Sequence, residues 1–116
     1  MIQSPDTRRL ILHNPLIHHL DTVAQERMLA SAQESSHDTG ALLIRQGQDA
    51  DRFFIVLKGR VKLFRISADG QEKVVEIIHP GQTFAEAVMF MQKSIFPVCA
   101  ETLEPVHLVS LPNRLM

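Results

Sequence analysis

The chain has 116 residues, which suits a single domain. Its 12 Lys and Arg against 13 Asp and Glu give a formal net charge of −1, which argues against binding nucleic acid through its own charge. Its one cysteine, Cys99, excludes an internal disulfide, a four-cysteine zinc site and a thiolate-held iron–sulfur cluster within this chain. Because the sequence shows neither a secretory signal nor an apolar run of ~20 residues, we expect a cytoplasmic protein without a membrane partner.

The first stretch, about residues 6–36, is predicted to be helical. Asp21 or Thr22 can cap a helix, and Gln25 fits a capping box in which its side chain reaches back to the backbone N–H of the cap. Apolar side chains then recur every four residues, as on one face of a helix, at Leu20, Ala24, Met28 and Ala32. A polar cluster at 35–40, which closes with a glycine, is expected to end the helical segment.

From residue 41 onward, short apolar runs alternate with turns that contain Gly or Pro, which predicts an antiparallel β sandwich or barrel. The runs lie at 41–44, 53–57, 61–66, 74–78, 98–102 and 106–111. The turn at Asp69 and Gly70 is the clearest one and predicts a hairpin between 61–66 and 71–78. We therefore expect a β-roll over about 41–111.

One segment breaks the β pattern. Residues 83–92 contain two Ala, two Met and one Glu but no Gly or Pro, which predicts a short helix between strands. By their spacing, Phe84 and Met91 share one helix face, and Glu86 and Phe90 share another. Since the chain has no Trp or Tyr, any apolar pocket must be lined by Phe, Met and aliphatic side chains. We expect this inserted helix to build the site.

Several segments together resemble the cyclic nucleotide-binding domain of Crp/Fnr-type transcription regulators. They are LIRQG at 43–47, DRFFIVLKGRVKL at 51–63, DG at 69–70 and PGQTFAE at 80–86, with NPLI upstream at 14–17. The resemblance runs from about residue 14 to 111. It implies a mainly β fold, a double-stranded, jelly-roll-like β-roll with short N-terminal helices and one short helix inside the roll.

The resemblance also implies that residues 1–116 form one sensor domain that responds to a small effector and is not an enzyme. In such regulators this domain is followed by a long dimerisation helix and a helix-turn-helix that reads DNA. The 116 residues contain neither, so we expect a sensor fragment of a larger regulator. A homodimer and DNA binding through the absent domain are then expected of the full-length protein.

Family members that bind a cyclic nucleotide carry a Gly-Glu pair and, further along, an Arg-Ser pair whose Arg neutralises the cyclic phosphate. Here the Glu matches Glu86 and the Gly has become Ala85, while the Arg and Ser positions fall on Phe96 and Pro97. Phe96 has no charge and Pro97 has no backbone N–H, and a buried phosphate without such partners is costly. Cyclic-nucleotide binding is therefore not expected, although a cyclic-nucleotide sensor that uses Glu86 stays the alternative.

The pocket expected instead is apolar. Its predicted members are Phe84, Glu86, Phe90, Met91, Phe96, Pro97 and Val98. The simpler alternative is that these side chains only fill the core and that no ligand binds between them.

The segments TFAEAVMFM at 83–91 and QEK at 71–73 resemble the dissimilatory nitrate respiration regulators, a Crp/Fnr subgroup that responds to nitric oxide. This resemblance implies haem in the apolar pocket and nitric oxide as the effector. Haem iron needs an axial ligand, for which His is the usual residue. The subgroup carries a His pair in its N-terminal segment, and the pair His18-His19 is similar to it. Neighbouring helical residues point about 100° apart, so at most one of the two faces a pocket.

A remote alternative is a metal-binding enzyme of the cupin type. A small β-roll with His79, Pro80 and Gly81 resembles that class, but cupins carry a His-x-His pair of metal ligands, which this sequence lacks. Glu72 and Glu76 lie four residues apart in one predicted strand, which places them on the same face without implying catalysis. We therefore expect neither an enzyme nor a metal site.

Overall fold

A computed structural model describes residues 4–86 and 94–112 of the chain. In these ranges the first elements are three short helices, α1 (Pro5–His13), α2 (Pro15–His18) and α3 (Thr22–Ser31). Each helix begins after a polar N-cap whose side-chain oxygen accepts a backbone N–H, which satisfies a donor left free at the helix start. The caps are Ser4, Asn14 and Asp21. No helix of the described ranges has the length and apolar character that crossing a membrane requires.

Three predictions for the N-terminal segment are wrong in detail. Gln25 does not complete a capping box, because its side-chain amide donates to the Ile17 carbonyl at 3.3 Å. The helical segment also ends at Ser31 rather than near residue 36, and Gln33–His37 forms a strand instead. Ala32, which was expected on the apolar helix stripe, is the C-cap of α3 and has an extended backbone.

The rest of the described chain is built from eight strands. They are β1 (Gln33–His37), β2 (Leu42–Ile44), β3 (Arg52–Lys58), β4 (Val61–Ile66), β5 (Glu72–Ile78), β6 (Thr83–Phe84), β7 (Cys99–Thr102) and β8 (Val106–Pro112). They form two four-stranded antiparallel sheets, in the order β1-β8-β3-β6 and β2-β7-β4-β5. The predicted β-roll is thereby confirmed, as is the β4–β5 hairpin, whose turn has Gly70 at a φ of 83°.

The short helix predicted for 83–92 is wrong at its start. Thr83 and Phe84 form β6, which pairs with β3, the chain bends at Ala85, and Glu86 has 3-10 helical backbone. Residues 87–92 of that predicted helix lie outside the described residues.

Strand β3 carries both hydrophobic cores, because its side chains alternate between the two faces of the sheet. Phe53 and Ile55 face the helices, and Val56 faces the interior of the roll between the two sheets, with the half-buried Phe54 packed against that interior. Both faces of this sheet are therefore covered, which explains why its central strand is apolar almost throughout.

Candidate functional site

A cavity of about 170 Å³ opens between the two sheets, next to the turn that follows β6. Its walls come from β2, β4, β5, β6 and the segment before β7. The described residues that line it are Ile44, Leu63, Glu76, Thr83, Phe84, Ala85, Glu86, Phe96, Pro97 and Val98. Apart from two carboxylates and one hydroxyl, these side chains are apolar.

Five of the predicted pocket residues line this one cavity, namely Phe84, Glu86, Phe96, Pro97 and Val98. The predicted residues Phe90 and Met91 lie outside the described residues. His18 and His19 are exposed at the C-terminal end of α2, and neither lines the cavity. The structure therefore brings together the predicted wall residues that it describes, but it does not bring the His pair to them.

The backbone around Ala85 directs Glu86 toward the cavity. Phe84 is anchored in the core at 1% exposure, and its ring stacks on Phe54 with 4.8 Å between the ring centroids. Ala85 then adopts a φ of 67°, in the left-handed region that favours glycine, at a cost of about 1–3 kcal/mol for a residue with a side chain. This is the position where the resembled nucleotide-binding domains carry glycine. Ala85 therefore has a backbone conformation that favours glycine.

Glu86 is the half-buried acidic group of the cavity. Burial raises the pKa of its carboxyl, a backbone N–H partly opposes that effect, and the negative charge of Glu76 raises the pKa further. Its Oε2 atom is buried and has no hydrogen-bond partner among the described residues. None of the described lining residues is Lys, Arg or His, so no positive charge in this part of the cavity offsets the two carboxylates.

We expect Glu86→Gln to raise the free energy of unfolding at pH 7 by less than about 1 kcal/mol, since a half-exposed charge is screened by water. The folded state raises the pKa of Glu86 above its value in the unfolded chain, so the protonated carboxyl favours folding. That contribution is fully present below the unfolded pKa and is lost as the pH rises through the folded pKa. Glutamine is uncharged at every pH, so the gain should shrink between pH 7 and pH 4.

Urea unfolding at both pH values measures this difference. Glu26→Gln is a suitable control, because Glu26 lies in an exposed ion pair with Arg8 and not in the cavity. A loss of stability in Glu86→Gln at pH 7 would show that the folded state favours the charged carboxylate instead.

The wall formed by Phe96 and Pro97 offers no free donor to a ligand phosphate. Phe96 is 5% exposed, and its backbone N–H donates to the Gln48 carbonyl at 2.9 Å. Its own carbonyl accepts the N–H of Gly47 at 2.8 Å, so the loop before β3 occupies both backbone groups. Pro97 has no N–H at all. These positions carry the Arg and Ser in the resembled nucleotide-binding domains.

Sequence reasoning did not assign Ile44, Leu63, Glu76, Thr83 and Ala85 to the cavity wall. The polar members of that set and one residue behind it matter most. Glu76 lies opposite Leu63 and lines the cavity, and Thr83 lines it from β6. Asn14, which is 5% exposed, donates from Nδ2 to the Thr83 hydroxyl at 2.6 Å and so ties the α1–α2 junction to the cavity wall. Glu76 and Ile78 are two residues apart and therefore share one face of β5. The apolar Ile78 could have indicated that this face is turned toward the interior. No sequence signal predicts the contact between Asn14 and Thr83, which are 69 residues apart.

The part of the chain that the structure describes contains no candidate metal site. There, no group of three or more His, Cys, Asp or Glu side chains is placed to hold a metal ion. The convergence of histidines that the cupin alternative needs is therefore not observed among these residues.

Comparison with known proteins gives the following matches. The family model described as "Cyclic nucleotide-binding domain" matches residues 34–116. The cyclic AMP receptor protein of Thermus thermophilus is 30% identical over 73 residues, which cover 63% of this chain and 34% of that protein. The regulator Vfr of Pseudomonas aeruginosa, described as cAMP-activated, is 26% identical over 80 residues, or 69% of this chain and 35% of that protein. The chain thus spans about a third of the length of these two relatives.

Among solved structures, the sensor domain of the transcriptional regulator DNR from Pseudomonas aeruginosa superposes with a TM-score of 0.88 at 33% identity. The match covers 95% of this chain and 73% of that one. It agrees with the nitrate-respiration regulator subgroup that the sequence resembles.

Proposed function

Since the chain belongs to the cyclic nucleotide-binding domain family and has Crp/Fnr-type regulators among its relatives, we propose that the cavity beside residues 84–86 is the effector site of a transcription regulator. The observation that carries the proposal is the convergence of five predicted pocket residues on one cavity between the sheets. Effector binding there would favour one of two arrangements of the parts that follow this domain, which is how a sensor domain controls a reader. We propose a homodimer whose DNA contacts are made by a separate domain.

We propose that the effector is nitric oxide, carried by haem, because the resemblance to the nitrate respiration regulators implies this effector. Two observations favour an effector other than a cyclic nucleotide. The backbone groups of Phe96 are engaged with the loop before β3, and Pro97 has no N–H to offer a phosphate. The other observation is the apolar character of the walls at Phe84, Phe96 and Val98.

The described residues do not by themselves fit a haem. The cavity of about 170 Å³ is smaller than the ~300–1,000 Å³ of most cofactor and drug-sized ligand sites. None of its described lining residues is His, Cys or Met, and His18 and His19 lie exposed on α2. We therefore assign no residue to the haem iron, and the haem proposal depends on the resemblance alone.

Titration of the purified chain with haemin, followed by its Soret absorption, tests this proposal. We expect saturable one-to-one binding and a shift of the band when nitric oxide is added. A His18→Ala/His19→Ala double variant should lose the binding if either imidazole is the axial ligand. The matched control is His37→Ala/His79→Ala, which also removes two histidines outside the cavity and should bind haemin as the unmodified chain does. Equal weak binding by all three proteins would contradict a specific haem site.

A cyclic nucleotide is the second candidate effector. It is favoured by the family itself, by relatives described as cAMP-activated, and by the position of Glu86 in the cavity, where a carboxylate can accept a ribose hydroxyl. Calorimetric titration with cyclic AMP tests it. Micromolar binding that Glu86→Gln abolishes would establish this candidate and refute the proposal of haem as the ligand of the cavity.

A further inference from the structure

Two carboxylates line the same cavity. Glu76 extends from β5, the edge strand of its sheet, where it pairs with Leu63 of the roll interior. Glu86 follows β6 of the other sheet. Glu76 is exposed and Glu86 is half-buried, so the first lies nearer the cavity mouth and the second lies deeper.

The deeper carboxylate has an unused acceptor. Oε2 of Glu86 is buried without a partner among the described residues, and a buried acceptor left unpaired costs about 1–3 kcal/mol. A ligand that brings an N–H or O–H to this atom would recover that cost. The walls beside it at Phe84, Phe96 and Val98 suit an apolar body.

An anionic group in the same place would be a third negative charge. Repulsion between like charges is stronger away from bulk water, because the effective dielectric constant falls from that of water to about 20 near a protein surface. No cation among the described lining residues offsets it. The charged side chains among the described lining residues are therefore carboxylates only.

We propose that Glu76 is a specificity-determining residue of the cavity. Together with Glu86 it favours an effector with an apolar body whose buried polar group is a cation or an uncharged hydrogen-bond donor. The same two carboxylates reject an effector whose buried group is an anion. This inference rests on the proposed function, since it takes the cavity as the effector site. The inference applies only to the part of the effector that is buried in the cavity. Carboxylates of an effector that remain in water are not rejected.

Three probes with the same ring test the proposal: benzylammonium, benzyl alcohol and benzoate. Their size is suitable, because an apolar cavity of ~150 Å³ admits benzene. Binding is followed through the methyl NMR signals of Ile44 and Val98, which line the cavity. We expect benzylammonium to bind about tenfold more tightly than benzoate, with benzyl alcohol between them.

The Glu76→Gln variant should reduce the ratio of the benzoate and benzylammonium dissociation constants at least about threefold, and Glu76→Lys should reverse it. Glu101→Gln is the matched control, because Glu101 belongs to the same sheet but pairs with Lys62 at 3.8 Å and does not line the cavity. It should leave the ratio unchanged.

The outcomes separate the two proposals. Probe binding with the same ratio in the unmodified chain, Glu76→Gln and Glu76→Lys overturns the role of Glu76 and leaves the cavity as the effector site. If benzyl alcohol binds none of the proteins at millimolar concentration, the cavity takes no ligand of this size and this inference is overturned, while the haemin and cyclic AMP titrations still test the proposed function.

Discussion

Replacing Gly59 with alanine is expected to lower the free energy of unfolding by about 2–5 kcal/mol. Gly59 has a φ of 84°, which already disfavours a residue with a side chain. A Cβ there would also collide with the Pro105 carbonyl oxygen and lie 2.8 Å from Cγ2 of Val106. Since the carbonyl belongs to the backbone, the turn before β8 would have to move to make room.

This collision matters because Gly59 connects the two sheets. It lies between β3 of one sheet and β4 of the other, and the turn it forms packs on the β7–β8 connection. The neighbouring Arg60 reinforces this contact, because its carbonyl accepts the N–H of Leu103 at 3.0 Å and its side chain pairs with Glu104 at 2.6 Å. Displacing the Pro105 carbonyl would therefore disturb the closure of the roll.

Gly70→Ala is the matched control for this prediction. Gly70 has nearly the same φ, 83°, but a Cβ there would meet no atom within 4 Å. Its cost should be limited to the conformational penalty of about 1–2 kcal/mol. Urea unfolding followed by far-ultraviolet circular dichroism measures both variants, since the chain has no Trp or Tyr for fluorescence. Equal losses for the two substitutions would show that the contact with residues 105 and 106 adds nothing.

The glycines also explain why most of the roll is predictable from the sequence. Turn residues such as Gly59 and Gly70 separate the apolar runs, and the six predicted runs coincide with β2, β3, β4, β5, β7 and β8. The strands missed are β1 and β6. The residues of β1, QESSH, carry no apolar pattern, and they form a strand because the edge of β8 pairs with them. The prediction therefore places residues 33–36 in the helical segment and 35–40 in the polar cluster that ends it.

Part of the apolar wall and Glu86 are predictable, but the second carboxylate of the cavity, Glu76, is not. The spacing of Glu72 and Glu76 predicts one shared face, yet the β4–β5 pairing shifts register between Leu63 and Phe64. Glu72 therefore pairs with Lys62 at 2.7 Å on the outer surface, while Glu76 lines the cavity. A bulge depends on the partner strand, so the alternation within one strand cannot reveal it.

Phe84→Ala is expected to cost about 3–5 kcal/mol in the free energy of unfolding, a large part of the ~5–15 kcal/mol typical of a domain. Phe84 is 1% exposed, stacks on Phe54 and belongs to the core between the sheets. Because it also lines the cavity, its removal should enlarge the cavity and change the affinity for benzyl alcohol. Phe84→Leu, with a smaller volume change, allows the affinity to be measured if the alanine variant does not fold.

Substitutions of Phe53 separate the contribution of a buried ring to the stability of the fold from its contribution to ligand binding. Phe53 is 0% exposed and neighbours Phe54 in β3, but it belongs to the core between the sheet and the helices and does not line the cavity. It should lose a similar ~3–5 kcal/mol, while Phe53→Leu should leave the affinity for benzyl alcohol unchanged. Urea unfolding and methyl NMR titration of the four variants measure both quantities. If the two leucine variants change the affinity equally, Phe84 supports the site only through the stability of the fold; a change confined to Phe84→Leu identifies its ring as part of the ligand-binding wall.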